Sequence, residues 1–270
     1  MVHCKRTDTG DSLLVRVYGR NSEILIDRGQ EVIVRTRQAP LNLPLNVLFS
    51  HFSQNIFTLS HEGFAPPLYG RFKNGIVYGF TPGRPFSVDD MADDRLSRLA
   101  ARRLAEWHTV PVPGDRAPSL FTTIRAWLAQ VPSEYADAGK AAYLQKHLSM
   151  AQVHADLDEL QRDLEALAAP VVFGHNDLLS GNVIVDPKEE SVSFIDFEYA
   201  NYTFRGFDIA NHFCEFAGFD CDYSKYPSRE FQLVWLREYL ESANKTPPTC
   251  EEVERLYTEV AKFAPVRATF

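Results

Sequence analysis

The run Leu13 to Tyr18 is β-prone and closes at Gly19, Glu23 to Asp27 carries a second such run, and Ile76 to Phe80 a third, so the opening 80 residues predict short strands. From Ser87 the period becomes helical. Ser87 and Asp90 have the spacing of a capping box, and Leu96, Leu99, Ala100, Arg103, Leu104 and Trp107 recur at helical intervals, with the Arg103 stem along the buried edge. Met150, Val153, Leu157, Leu160, Leu164 and Leu167 make a second stripe, ended by Pro170. It is too short for a coiled coil and predicts a core-facing helix. Short strands then follow at Val171–Phe173, Val183–Val185 and Val192–Ile195, the first two parted by the polar loop His175–Asn182 and the last two by a turn at Asp186-Pro187. Three more amphipathic helices are predicted at Asp208–Phe219, Arg229–Ser242 and Cys250–Ala264, the last opened by Thr249 and Glu252 as a capping box. The pattern is α/β (α+β): a small β-rich part over residues 1–80 and a mostly helical part over 81–270.

One stretch fits neither period. From Gln38 to His61 there is no Lys, Arg, Asp or Glu, yet Pro40, Pro44 and the scattered Asn, Ser and Gln make it a poor membrane span, because buried amides need partners in lipid.

Composition narrows the classes. The chain has 270 residues, 45% hydrophobic and 24% charged, the proportions of a soluble globular protein. With 28 Lys and Arg against 36 Asp and Glu, the net charge of −8 argues against a nucleic-acid surface, which needs cationic stripes. Cys4, Cys214, Cys221 and Cys250 are scattered and form no C-x-x-C pair, so neither a disulfide scaffold nor a zinc knuckle is indicated. No apolar run follows the first charged residues, so no secretory signal or membrane insertion is expected, and the expected compartment is cytoplasmic.

The chemistry gathers in His175-Asn176-Asp177-Leu178-Leu179-Ser180-Gly181-Asn182 and, after a hairpin, Ile195-Asp196-Phe197-Glu198. A loop Asp and an Asn five residues on can face one point, and an Asp at the end of a neighbouring strand reaches that point from the side. Phosphoryl transfer from Mg-ATP needs this set: one carboxylate to accept the hydroxyl proton, and an amide and a second carboxylate to hold Mg²⁺. The spacing resembles the H-R-D-x-x-x-x-N and D-F-G pair of protein kinases, with Asn176 in place of Arg and Glu198 in place of Gly.

The longer runs His-Asn-Asp-Leu-Leu, Ile195-Asp-Phe-Glu-Tyr-Ala-Asn-Tyr202, Arg205-Gly-Phe-Asp-Ile-Ala-Asn-His212 and Glu215-Phe-Ala-Gly218 resemble the choline/ethanolamine kinase family, over roughly residues 13–31 and 57–264. Ser22-Glu-Ile-Leu-Ile-Asp-Arg28, Leu178-Leu179 and Glu215-Phe-Ala-Gly218 look like its ethanolamine kinase branch. The resemblance implies a protein-kinase-like bilobal fold, ATP and Mg²⁺ as cofactors, and phosphorylation of ethanolamine on the route to phosphatidylethanolamine; a choline or dual kinase is the alternative. It implies Asp177 as catalytic base, Asn182 and Asp196 as Mg²⁺ ligands and Arg16 as the strand cation that meets ATP phosphates. Glu31 marks the helix whose carboxylate would pair with that cation, and Glu198, Tyr199 and Glu215 are candidates for the substrate ammonium. The competing reading is that Glu198 ties down its own loop and Glu215 is a helix-surface acid. His175, Asp208 and His212 are expected to anchor the catalytic loop. Candidate partners are the amino alcohol and a second copy in a homodimer.

Three departures from the family pattern shape the expectation. Its first strand and phosphate-covering turn have no counterpart here, nor does any G-x-G-x-x-G or Walker loop replace them; residues 32–56 intervene as an anomalous segment; and the family continues with helices beyond Phe270. The chain therefore reads as a kinase truncated at both ends with a retained intervening segment, and a non-catalytic homologue acting as a binding partner is the reading of another class.

Overall fold

The computed structural model describes residues 2–5, 12–17, 51–72, 75–132, 136–186, 188 and 190–269. Strands β1 (Val2–Lys5), β2 (Ser12–Val17), β3 (Leu68–Phe72) and β4 (Gly75–Gly79) form an antiparallel sheet in the order β1-β2-β4-β3. The predicted strands at Leu13 and Ile76 are its two central members, and register pairs Arg16 with Ile76. Paired residues share a sheet face, so the Arg16 side chain leaves on the side where Ile76 is buried.

Helix α1 (His51–His61) lies between β2 and β3 in the chain and buries Ile56 and Leu59. It begins inside the segment 32–56 that showed no period: four turn-forming polar residues hide a stripe whose apolar members are few. Residues 32–50, with Glu31 and the expected strand Glu23–Asp27, lie outside the described residues.

The helical part starts after β5 (Arg84–Pro85) with α2 (Val88–Ala92), whose Ser87–Asp90 capping box forms as predicted. In α3 (Asp94–Trp107) the residues at helical spacing, Leu96, Ala100, Leu104 and Trp107, are all buried, and Arg103 lies over the Phe64 ring at 4.0 Å. Helices α4 (Leu120–Leu128) and α5 (Ala138–His147) are additional to the predicted set. Of the stripe on α6 (Met150–Glu165), Leu157 and Leu164 are fully buried, so this helix lies at the edge of the core.

Strand β6 (Val171–Gly174) pairs with β9 (Asn201–Phe204), and β7 (Val183–Asp186) with β8 (Ser191–Phe194) and β5. The Asn-Tyr-Thr-Phe of β9 alternates but is only four residues long, and pairing with β6 makes it a strand. It runs straight into α7 (Arg205–Cys214), which therefore starts three residues earlier than predicted. It also ends earlier, through a 3-10 turn at Glu215–Ala217 and Gly218 at φ 62°. Helices α8 (Arg229–Asn244) and α9 (Cys250–Thr269) close the fold, α9 with its Thr249–Glu252 capping box. Among the described residues no helix is long and apolar enough to cross a membrane.

Trp107 sits under the centre. Its ring lies 5.4 Å from His175, 5.9 Å from Phe194 and 5.8 Å from Phe197, so one buried indole supports both the loop after β6 and the loop after β8.

Candidate active site

The loop His175–Asn182 leaves β6 beside a carboxylate that never sees water. Asp208 of α7 is fully buried and accepts the backbone N–H of His175 (2.8 Å) and of Asn176 (2.7 Å), together with His108 Nε2–H (2.9 Å). Burial alone would raise the Asp208 pKa, but the His108 hydrogen bond and nearby imidazoles outweigh it and hold the carboxyl below the usual range. The other nitrogen of His108 lies 2.6 Å from the Tyr239 hydroxyl in a second hydrogen bond, and burial pushes the Tyr239 phenol up. Further along, His212 Nδ1–H donates to Leu178 O at 2.8 Å, and His175 Nε2–H to Ile195 O at 3.0 Å, stitching this loop to the one after β8. The anchoring expected of His175, Asp208 and His212 is what the geometry gives. His108, the residue that caps the C-terminus of α3, and Tyr239 of α8 complete the chain and carry no local signal beyond their place along core-facing runs.

These anchors aim Asp177. The Asn182 amide donates to Asp177 O (2.8 Å) and to Asp177 Oδ2 (3.3 Å), and Ile195 N–H donates to Asn182 O at 3.0 Å, bringing the three segments together. Asn176 (φ 64°) and Asp196 (φ 58°) both occupy the left-handed region, which Asn and Asp tolerate better than other side chains. Strain held at two such neighbouring loops is typical of a functional site.

Arg16 crosses from the sheet to this point. Its guanidinium pairs with Asp196 through one nitrogen and with Glu198 Oε2 through the other at 2.7 Å. Burial alone would lower the Arg16 pKa; the hydrogen bond and charge of Asp196, with Glu198, more than reverse it. Tyr199 reports the same convergence: burial pushes its phenol up, the carboxylates of Glu198, Asp177 and Asp196 push further, and Arg16 opposes them. Glu198 thus reaches across to the sheet cation. Glu215 opens the 3-10 turn after α7, where its charge acts on His212.

The oxygens present suit one kind of metal. With the Asn182 Nδ2 committed to Asp177, its Oδ1 is the amide atom left to ligate, and the Asp196 side chain keeps 40% of its exposure despite its ion pair. Among the described residues no group of three or more His, Cys, Asp or Glu forms a metal cage. Few hard oxygen donors and no imidazole or thiolate set fit Mg²⁺, which retains waters and phosphate oxygens in most of its shell.

Residues 46–270 match the family model described as choline/ethanolamine kinase. The probable ethanolamine kinase A of Dictyostelium discoideum is 39% identical over 252 residues, covering 93% of this chain and 66% of that protein. The ethanolamine kinase of Drosophila melanogaster is 40% identical over 261 residues, 93% of this chain and 46% of that one. The chain thus spans about half to two thirds of the length of these curated relatives. Among solved structures, an ethanolamine kinase of Plasmodium vivax superposes with a TM-score of 0.79 at 26% identity, over 97% of this chain and 69% of that one. A choline kinase of Cryptosporidium parvum gives 0.68 at 19% identity, over 95% and 73%, a likeness of fold.

Proposed function

The chain belongs to the choline/ethanolamine kinase family, and from that premise we propose that it transfers the γ-phosphoryl group of ATP to ethanolamine, yielding O-phosphoethanolamine and ADP, the entry to the CDP-ethanolamine route toward phosphatidylethanolamine. The relatives named ethanolamine kinase favour ethanolamine as acceptor. The observation that carries the chemistry is the meeting of Asp177, Asn182, Asp196 and Arg16 at one point from two loops and a strand. A cytoplasmic location and a homodimer belong to the same reading.

In this reading the Asp177 carboxylate accepts the ethanolamine hydroxyl proton as the hydroxyl oxygen bonds to Pγ. The bond from Pγ to the bridging oxygen breaks, and ADP leaves with its electron pair. Asn182 Oδ1 and Asp196 would hold Mg²⁺, whose charge would offset that of the phosphates. Arg16, now shared by two carboxylates, is the cation in reach of those phosphates. Glu198 already accepts a guanidinium at 2.7 Å, which suits it to a primary ammonium with its three N–H donors, and Tyr199 lies beside it. Most of the acceleration would come from positioning and electrostatics.

A choline or dual kinase is favoured by one observation, the edge-on pairing of Trp127 with Tyr199 at 6.2 Å, since quaternary ammonium prefers aromatic faces. Turnover of ethanolamine and of choline, each with Mg-ATP, decides between them. Asp177→Ala is expected to lower turnover by about 10²–10⁴ with the fold retained. Equal turnover by the variant refutes the base assignment, and a folded wild-type protein that turns over neither alcohol and takes up no Mg-ATP by calorimetry supports the non-catalytic homologue instead.

A further inference from the structure

In protein kinases the strand cation that meets the phosphates is held by a carboxylate on the helix that follows it. Among the described residues the first helix after that strand, α1, with the sequence His-Phe-Ser-Gln-Asn-Ile-Phe-Thr-Leu-Ser-His, contains no acid, and Glu31 lies outside the described residues. Arg16 finds its carboxylates on the far side of the cleft, at Asp196 and Glu198. One link from α1 to the site is neutral: Asn55, only 7% exposed, donates from Nδ2 to Ala200 O at 2.9 Å.

The position of that bond matters. The segment Phe197–Asn201 follows directly on Asp196 and carries Glu198 and Tyr199. On the side of the catalytic loop, Asn176 Nδ2 donates to Tyr199 O at 3.0 Å and to Asn201 O at 3.4 Å. The carbonyl between these two, Ala200 O, at the end of the turn closed by Ala200 N–H on Phe197 O (3.1 Å), is the one Asn55 holds. Two asparagine amides therefore grip three consecutive carbonyls, one from the loop bearing Asp177 and one from the helix packed under the sheet. The helix end of this grip is firm, because Ile56 and Leu59 beside Asn55 are fully buried.

We infer that Asn55 is a positioning residue, whose amide sets the placement of the Asp196–Tyr199 loop relative to the N-terminal sheet and α1. Its kinetic consequence rests on the phosphoryl-transfer reading; its structural consequence does not.

Asn55→Asp keeps the shape and sets an acceptor against the Ala200 carbonyl, while Asn55→Leu removes the donor altogether. In both, hydrogen exchange in a peptide covering residues 196–202 is expected to quicken by about 5- to 10-fold, the effect of one lost hydrogen bond, with peptides from α6 unchanged. Apparent KM for Mg-ATP should rise several-fold with kcat kept, since bound nucleotide re-orders the loop, whereas mere loss of folded protein would lower kcat at constant KM. Unchanged exchange at 196–202 in whichever variant folds, or exchange that rises equally throughout the chain, overturns the inference. Absence of turnover in the wild-type protein would overturn the proposed reaction and leave the exchange result to decide Asn55 alone.

Discussion

At the scale of single residues, the site stands on buried groups whose charge states are set by their surroundings. His175 and His212 are nearly inaccessible, and burial pushes both imidazoles below their usual range despite the nearby Asp208 charge. His175 also faces Asp196 and His212, and His212 faces Glu215. In the unfolded chain they titrate near the ordinary 6.5, so below that pH the unfolded state binds protons that the native state refuses, and stability falls on acidification. Asp208 acts in the same direction lower down: its contribution is complete above the ordinary 3.8 and is lost as pH falls through its depressed native value. The melting temperature should be level at neutral pH and decline below about pH 6.5. His212→Asn, whose amide can still donate to Leu178 O, should make the decline shallower. Scanning calorimetry from about pH 7.5 to 5 checks this, and a level profile contradicts it.

At the scale of elements, the run Arg205-Gly-Phe-Asp acquires a mechanical meaning that its resemblance to a family could not supply. Gly206, in the first turn of α7, faces α9 so closely that a Cβ would meet Phe263 Cδ2 at 2.6 Å and Cε2 at 2.9 Å. Arg205 pairs with Glu259 of α9 at 2.5 Å from the same turn. Gly206→Ala should cost roughly 1–3 kcal/mol of stability by overpacking, more than the gain of up to about 1 kcal/mol in helix propensity. Phe263→Leu in the same chain should restore part of it. Urea denaturation measures both, and a neutral Gly206→Ala would mean that α7 and α9 can part without cost. The helix caps were legible because a capping box is a pattern of adjacent residues. Helix α1 and strand β9 were not, since α1 lies in a stretch rich in turn-forming polar residues and β9 is four residues long. Each is an element because of what it packs on or pairs with.

At the scale of the molecule, the sheet and the helical part meet through Arg16 and Asn55, both directed at the loop from Asp196 to Ala200. A ligand that draws on Arg16, Asn182 and Asp196 together should stabilise the whole protein. Mg-ADP at about 100 times its Kd should contribute about 2.7 kcal/mol, a rise of roughly 5–10 °C in melting temperature. Chelation with EDTA, or Asp196→Asn, should remove most of that rise; a rise indifferent to both would show that nucleotide binds without Asn182 and Asp196.

The sequence by itself determined the caps, the central strands, the main helices and the linked runs from His175 to Asn182 and Ile195 to Glu198, because each is a pattern among neighbours and its geometry follows from local backbone physics. It could name Arg16, Asp177, Asn182 and Asp196 as candidates by spacing and resemblance. Only the tertiary structure decided that Arg16 is shared between Asp196 and Glu198, that His108 and Tyr239 stand behind Asp208, and that Asn55 holds Ala200. Those contacts join residues about a hundred or more positions apart, and strand register and helix packing, which no local pattern encodes, are what bring them together.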